Sequence, residues 1–400
     1  MSQIDEALSL RLNRFQQRSL IVGIVGLVLG VGGAFLNRGQ FFQSYLFAYL
    51  FWVQLGLGCL AVLMIQHIAG GGWGFVIRRP LEAGMLTLPL MAVLFIPLLG
   101  GMQDVYVWAR PEEVAQSELL QHKSPYLNTP FFIIRTIVYF AVWTGLAYFL
   151  NRWSQQQDQA ADPTLAERFS RLSGPGLALF GLTITFASFD WMMSLEPEWF
   201  STIYGFMFGV GAGAVAFAWA ILLLALLSKY KPLSEVVTAG HFNDLGNFLL
   251  ASVMLWAYMS LSQYLIIWSG NLPEEITWYI YRTQGGWQWV SLFLILFHFA
   301  LPFLVLMSRG VKRKARALSM VAGLIIFMRF IDLFWLVVPA FHQTGFQIHW
   351  LDLVLPVGIG GVWIALFIRQ LKQKSLLAIN DPHLQEMVEH GHPEAPSHSY

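Results

Sequence analysis

Residues 315–338, ARALSMVAGLIIFMRFIDLFWLVV, form an apolar run long enough to cross a bilayer, yet they carry Arg329 and Asp332 three residues apart. A helix needs about 20 apolar residues to span a hydrocarbon core of ~30 Å. A charged pair inside such a run therefore marks a membrane span with polar work at depth, not a soluble helix. Working outward, similar windows occur at 18–36, 43–66, 82–103, 130–150, 175–194, 203–228, 244–268, 286–308 and 351–371. The whole chain agrees: among 400 residues 56% are hydrophobic and only 12% charged, which excludes soluble, disordered and coiled-coil chains.

Charge gives an expected orientation. Eighteen Lys and Arg lie in or beside the N-terminal segment, the even-numbered loops and the C-terminal tail, whereas the intervening loops hold only Arg38, Arg110, Lys123 and Arg282. By the positive-inside rule both termini are expected in the cytoplasm. A net charge of +1 offers no basic surface for nucleic acid. The single cysteine, Cys59, excludes an iron–sulfur cluster, c-type haem attachment or an internal disulfide. His298 is the only deeply placed histidine, so no pair of axial ligands is expected for a b-type haem.

The expected fold is an all-α polytopic membrane protein with ten transmembrane helices. Spans two to five and six to nine form two four-helix bundles, flanked by the single spans one and ten, and the even group size permits a parallel repeat. Residues 1–17 read as a cytoplasmic segment and 18–371 as the membrane domain, with Ile21–Phe35 a retained signal anchor. Residues 372–400 read as a polar, disordered tail, in which His383, His390, His392 and His398 offer imidazoles for metal capture. Thr129-Pro130 and Gly174-Pro175 should open spans four and five, since proline is tolerated in a first turn. PEEVAQSELLQH (111–122) and PEEITWYIYRT (273–283) begin as helices do, the second as an interfacial one. Trp191, Trp199, Tyr204, Trp268, Trp278, Trp335 and Trp350 read as an aromatic belt.

Each ionisable residue in a span costs at least ~2.5–3.5 kcal/mol to insert, so each needs a reason. Glu82, His241 and Asp244 fall at the cytoplasmic ends of their spans, Arg135 and Asp190 toward the outer ends. Arg329 and Asp332 lie roughly 13 and 9 Å from the outer end of span nine. One reading of that pair is a structural ion pair; the other is an outer proton-path segment built from Asp190 and Asp332, tuned by Arg135 and Arg329. His298, midway along span eight, is either a bonded core histidine or a relay; Pro302 strips its carbonyl of a helical donor. Asp244, Asn247, Tyr258 and Ser262 share about 60° of span seven and either glue two helices or line a wet cavity.

Two segments, SFDWMMSLEPEWFSTIYG (188–205) and HFNDLGNFLLASVMLWAYMSLSQYLIIWSGNLPEE (241–275), resemble the F subunit of bacterial alternative complex III, a quinol:cytochrome c or quinol:oxidase oxidoreductase. The likeness runs from about residue 20 to 375 and extends to membrane subunits of the polysulfide-reductase type. It implies a cofactor-free subunit of the bacterial cytoplasmic membrane. Iron–sulfur clusters and haem c would reside in partner subunits, beside a homologous C subunit, membrane lipids, quinol or quinone, and in some cases a terminal oxidase. Asp190, His241 and Asp244 match motif positions, and the family's F subunit is associated with polar proton half-channels. Span three, EAGMLTLPLMAVLFIPLLGGM, lacks the histidine that quinol-binding relatives carry. A quinol-binding subunit of the same complex and an independent secondary transporter are the alternative readings. Neither metal ligands nor catalytic residues are expected in the chain itself.

Overall fold

The computed structural model describes residues 6–160, 162, 164–378, 380 and 381. Ten of its helices are long and apolar enough to cross a membrane: α1 Ala7–Leu36, α2 Arg38–Ala69, α3 Gly72–Gly100, α4 Thr129–Gln159, α5 Thr164–Leu195, α6 Tyr204–Leu227, α7 Ala239–Gly270, α8 Trp287–Met307, α9 Ala315–Ala340 and α10 Leu351–Leu371. Among the described residues there is no strand. The protein is an all-α polytopic membrane protein.

Local chemistry sets several helix ends. Asn37 Oδ1 accepts from Gln40 N at 3.1 Å to open α2, and Asn128 Oδ1 accepts from Phe131 N at 2.9 Å to open α4, where Pro130 occupies the first turn. Thr238 and His241 cap α7 reciprocally, and Asn271 ends it at φ 47°, a conformation asparagine tolerates. Span boundaries depart from the hydropathy windows because helices continue past the hydrocarbon. α3 starts at Gly72, not 82, and α5 starts at Thr164, so Pro175 lies inside it and does not open it. α1 likewise includes most of the expected N-terminal segment. α3 is interrupted after Met85, where Thr87 Oγ1 donates to the Gly84 carbonyl at 2.7 Å.

α2 is the central helix: 94% of its apolar window is buried inside the protein, against 22% for α1. α2 packs with α3 and α5, α6 packs with α7 and α9, and the two groups meet where α2 lies against α6. At that seam a Cβ on Gly58 would stand 1.9 Å from the Ala212 carbonyl oxygen, so only glycine permits the approach. α1 and α10 do not stand on opposite flanks. They pack on each other, and α10 packs on α2. A Cβ on Gly361 would meet the Ser19 carbonyl oxygen at 2.4 Å.

Three expectations from the sequence are corrected. Trp191, Trp199, Tyr204 and Trp278 are buried, and Trp335 partly so, leaving Trp268 and Trp350 as the exposed members of the expected belt. The buried rings fill the bundle: Trp199 stacks on Trp278 at 4.6 Å, and Trp191 packs with Phe95 and Phe140. The helix Pro273–Arg282 is anchored by the buried Trp278, Tyr279 and Arg282 and does not lie freely on an interface. The start of the expected tail is also packed: Leu376, Leu377 and Ala378 are buried. His383, His390, His392 and His398 lie outside the described residues.

Gly58→Ala should therefore destabilise the protein by about 1–3 kcal/mol, through forced separation of α2 and α6. Gly145→Ala, where a Cβ meets nothing within 4 Å, should not. Thermal unfolding of the two variants in detergent checks this; equal midpoints would show that the seam yields.

Candidate functional site

The end of the bundle that carries residues 11–16 and 372 is here the terminal end, since Lys372 Nζ donates to Asn13 and Gln16 there. Buried charges collect at three levels. Each level draws on helices distant in sequence.

The middle level is built on α9, whose i and i+3 positions turn Arg329 and Asp332 to one face. Arg329 Nη1 donates to Asp332 Oδ2, and its Nε donates to Gln54 Oε1 at 3.1 Å. Gln54 is held in turn, its Nε2 donating to the Phe208 carbonyl at 2.9 Å. Trp256 Nε1 donates to Asp332 Oδ2 at 3.1 Å while its ring lies 4.2 Å from that of His298. His298 sits in a π-helical stretch, Ile295–Ala300, just before Pro302. π-Helical turns are uncommon and recur at functional sites because they re-aim one side chain. Gly211 makes room for the guanidinium: a Cβ there would lie 2.3 Å from Arg329 Cζ. Arg329 Nη2 and His298 Nδ1 are buried without a hydrogen-bond partner among the described residues.

At the end opposite the terminal one, Arg135 grips Asp190 with two hydrogen bonds, of 2.8 and 2.9 Å, and Tyr139 Oη donates to the same carboxylate at 2.7 Å. The guanidinium also lies 3.9 Å from the ring centroid of Tyr126, whose phenol is pushed up by burial. A second pair joins Arg282 Nη2 to Glu196 Oε2 at 2.7 Å, with Arg282 also donating to the carbonyls of Trp278 and Leu336.

At the terminal end, Arg78 Nε and Arg79 Nη1 reach the two oxygens of Glu82 at 2.9 and 2.7 Å. Ser154 Oγ donates to Glu82 Oε1 at 2.7 Å. Lys374, from beyond α10, donates to Glu82 Oε2 at 2.9 Å; burial pushes its ammonium down and Glu82 draws it back up. Asp158 and Asp381 take the outer faces of Arg79 and Arg78. Lys374, Asn380 and Asp381 thus strap α3 and the end of α4.

Six of the residues singled out from sequence, Glu82, Arg135, Asp190, His298, Arg329 and Asp332, are buried. Among the described residues no hydrogen bond joins the pair at Asp190 to the pair at Asp332. Arg135–Asp190 and Arg329–Asp332 belong to separate networks, because each carboxylate is satisfied by its own arginine. The span-seven stripe faces outward, with Tyr258 69% exposed and Asp244 exposed while Leu245, Leu249 and Trp256 turn inward; of its members Asn247 acts as helix glue, its Oδ1 accepting from Lys312 Nζ at 2.7 Å. Ser262 is half-buried on that outer side, and His241 serves as a cap through its Nδ1, which accepts from Thr238 N at 3.1 Å.

By hydropathy alone Arg78, Arg79, Arg282 and Lys374 fall in loops and tail, and Gln54 in an apolar run. Arg79 and Arg78 stand three and four residues before Glu82, and that helical spacing is the signal the sequence carries. Comparison of the chain with protein-family models and with curated proteins found no match. Among the described residues no group of three or more His, Cys, Asp and Glu side chains is arranged to hold a metal ion.

Glu82→Gln leaves three buried cations facing two outer carboxylates and should cost about 3–5 kcal/mol, the usual penalty for breaking a buried pair from one side. Arg171→Gln, in the exposed pair with Glu167, should leave stability near the parent's. Unfolding in detergent monitored by circular dichroism distinguishes the two.

Proposed function

We propose that the chain is a membrane subunit of a quinol:cytochrome c or quinol:oxidase oxidoreductase of the alternative-complex-III type, holding no redox centre of its own and contributing titratable groups for proton movement together with a docking surface. In this reading it sits in a bacterial cytoplasmic membrane with both termini inside. Partner subunits, among them a homologous C subunit, carry the iron–sulfur clusters and haem c.

The observation that carries the proposal is the middle cluster. A carboxylate, a guanidinium and an imidazole are held by four different helices inside apolar surroundings, where an isolated charge is expensive. Arg329 stays protonated at any working pH and acts on Asp332 as a fixed positive charge, leaving Asp332 and His298 as the groups able to exchange protons. The uncommitted His298 Nδ1 and Arg329 Nη2 supply further hydrogen-bonding capacity beside them.

The two segments behind the resemblance also belong to one interior. Residues 188–205 supply Asp190, Glu196, Trp199 and Tyr204 to the buried networks, and residues 241–275 supply Trp256. Ser201 Oγ donates to Gln263 Oε1 at 2.9 Å, joining the two segments directly.

The test is made in the native complex. Asp332→Asn and His298→Gln should each lower the proton-to-electron ratio while quinol oxidation persists and the haem c chain still co-purifies. An unchanged ratio in both variants would reduce the cluster to a structural brace, and isolation of the chain without a haem c partner would remove the complex assignment.

A further inference from the structure

Away from the buried charges, a groove of about 500 Å³ opens on the outer side of the helices. Its walls include Val22 of α1, Phe51 and Trp52 of α2, and Leu353, Val357 and Ile364 of α10. From Ile364 to Leu353 it follows α10 for roughly 16 Å at 1.5 Å per residue. An acyl chain crosses about half of a ~30 Å hydrocarbon core, so the length matches one chain. The floor is fixed by packing: a Cβ on Gly360 would lie 2.1 Å from Trp52 Cζ2, and Trp52 Nε1 donates to the Pro356 carbonyl at 2.8 Å. With that indole donor satisfied, the floor offers a guest only apolar surface.

The mouth differs. Arg18 lines it, and Arg14 lies one turn nearer the terminal end on the same face of α1. Both are exposed, and among the described residues neither guanidinium has a hydrogen-bonding or ionic partner. Nearby polar groups are committed elsewhere: Asn13 and Gln16 accept from Lys372, and Arg11 donates to Tyr230 Oη at 2.9 Å. Arg18 lies near the level of Ile364, one to two turns inside the terminal end of α10, and its stem can carry the guanidinium outward to headgroup depth.

We infer that this groove is a binding site for an anionic phospholipid, with one acyl chain against Trp52 and Val357 and the headgroup phosphate on Arg18 and Arg14. Charge selects the headgroup: a basic residue at the membrane surface favours anionic over zwitterionic lipid, and two act together. The groove selects the chain through apolar contact.

The experiment uses the full chain, purified with the subunits that accompany it. It is incubated with phosphatidylglycerol or phosphatidylcholine carrying identical acyl chains and a chain-borne photoreactive diazirine. Peptides covering 353–364 should be labelled by phosphatidylglycerol about tenfold more than by phosphatidylcholine. The double variant Arg14→Gln/Arg18→Gln should bring the two lipids to within about twofold, and Val357→Trp, which fills the groove, should abolish labelling by both. Excess glycerol 3-phosphate should leave labelling unchanged. Equal labelling of the parent chain by both lipids, no label in 353–364, a preference that survives the double variant, or displacement by glycerol 3-phosphate would each overturn the assignment. Displacement by a prenylquinone but not by unlabelled phosphatidylglycerol would overturn it too.

Discussion

A charge placed among apolar helices has no water to turn to, so its partner must come from the protein, and much of the interior is arranged around that requirement. Arg329 shows how far it extends. Its guanidinium needs Asp332 for charge, Gln54 for a second acceptor and the missing side chain of Gly211 for space. Gln54 then needs the Phe208 carbonyl, and Asp332 is completed by Trp256, which in turn lies over His298. Five helices, α2, α6, α7, α8 and α9, are thereby set in mutual register. Apolar contact alone would let them slide, since hydrocarbon tails compete equally well for a leucine surface.

The same rule explains the separation into levels. At each level arginines are matched by nearby carboxylates: Arg135 by Asp190, Arg282 by Glu196, Arg78 and Arg79 by Glu82 with Asp158 and Asp381. Matching locally satisfies desolvated groups but divides the polar interior into compartments. Tyr204 is within electrostatic reach of both Glu196–Arg282 and Arg329–Asp332.

What could be read from the sequence follows from what each signal measures. Hydropathy located all ten spans, because crossing hydrocarbon is a property of composition over some twenty residues. It misplaced ends such as Gly72 and Thr164, because helices persist beyond the apolar layer under capping and tertiary control. It identified the deep charges for the same reason it found the spans: each is an interruption of an apolar run. Partners were harder. Gln54 and Ser154 are ordinary polar residues until the fold brings Arg329 and Glu82 to them, and Lys374 and Asp381 gain their meaning from contacts some 300 residues away in the chain. The stripe on α7 was legible as a shared face, and Asn247 does bind Lys312, but angular clustering does not say which way a face points.

The strap over Glu82 and the pairing of α1 with α10 have a consequence for biogenesis. Both contacts join early chain to late chain, so during vectorial synthesis α1 enters the bilayer long before its close-packed neighbour is made. The carboxylate of Glu82 likewise meets Lys374 only after every helix has emerged from the ribosome. Closure at the terminal end therefore follows insertion of all ten spans, and a nascent protein halted before α10 exposes unsealed surface on which membrane quality control can act.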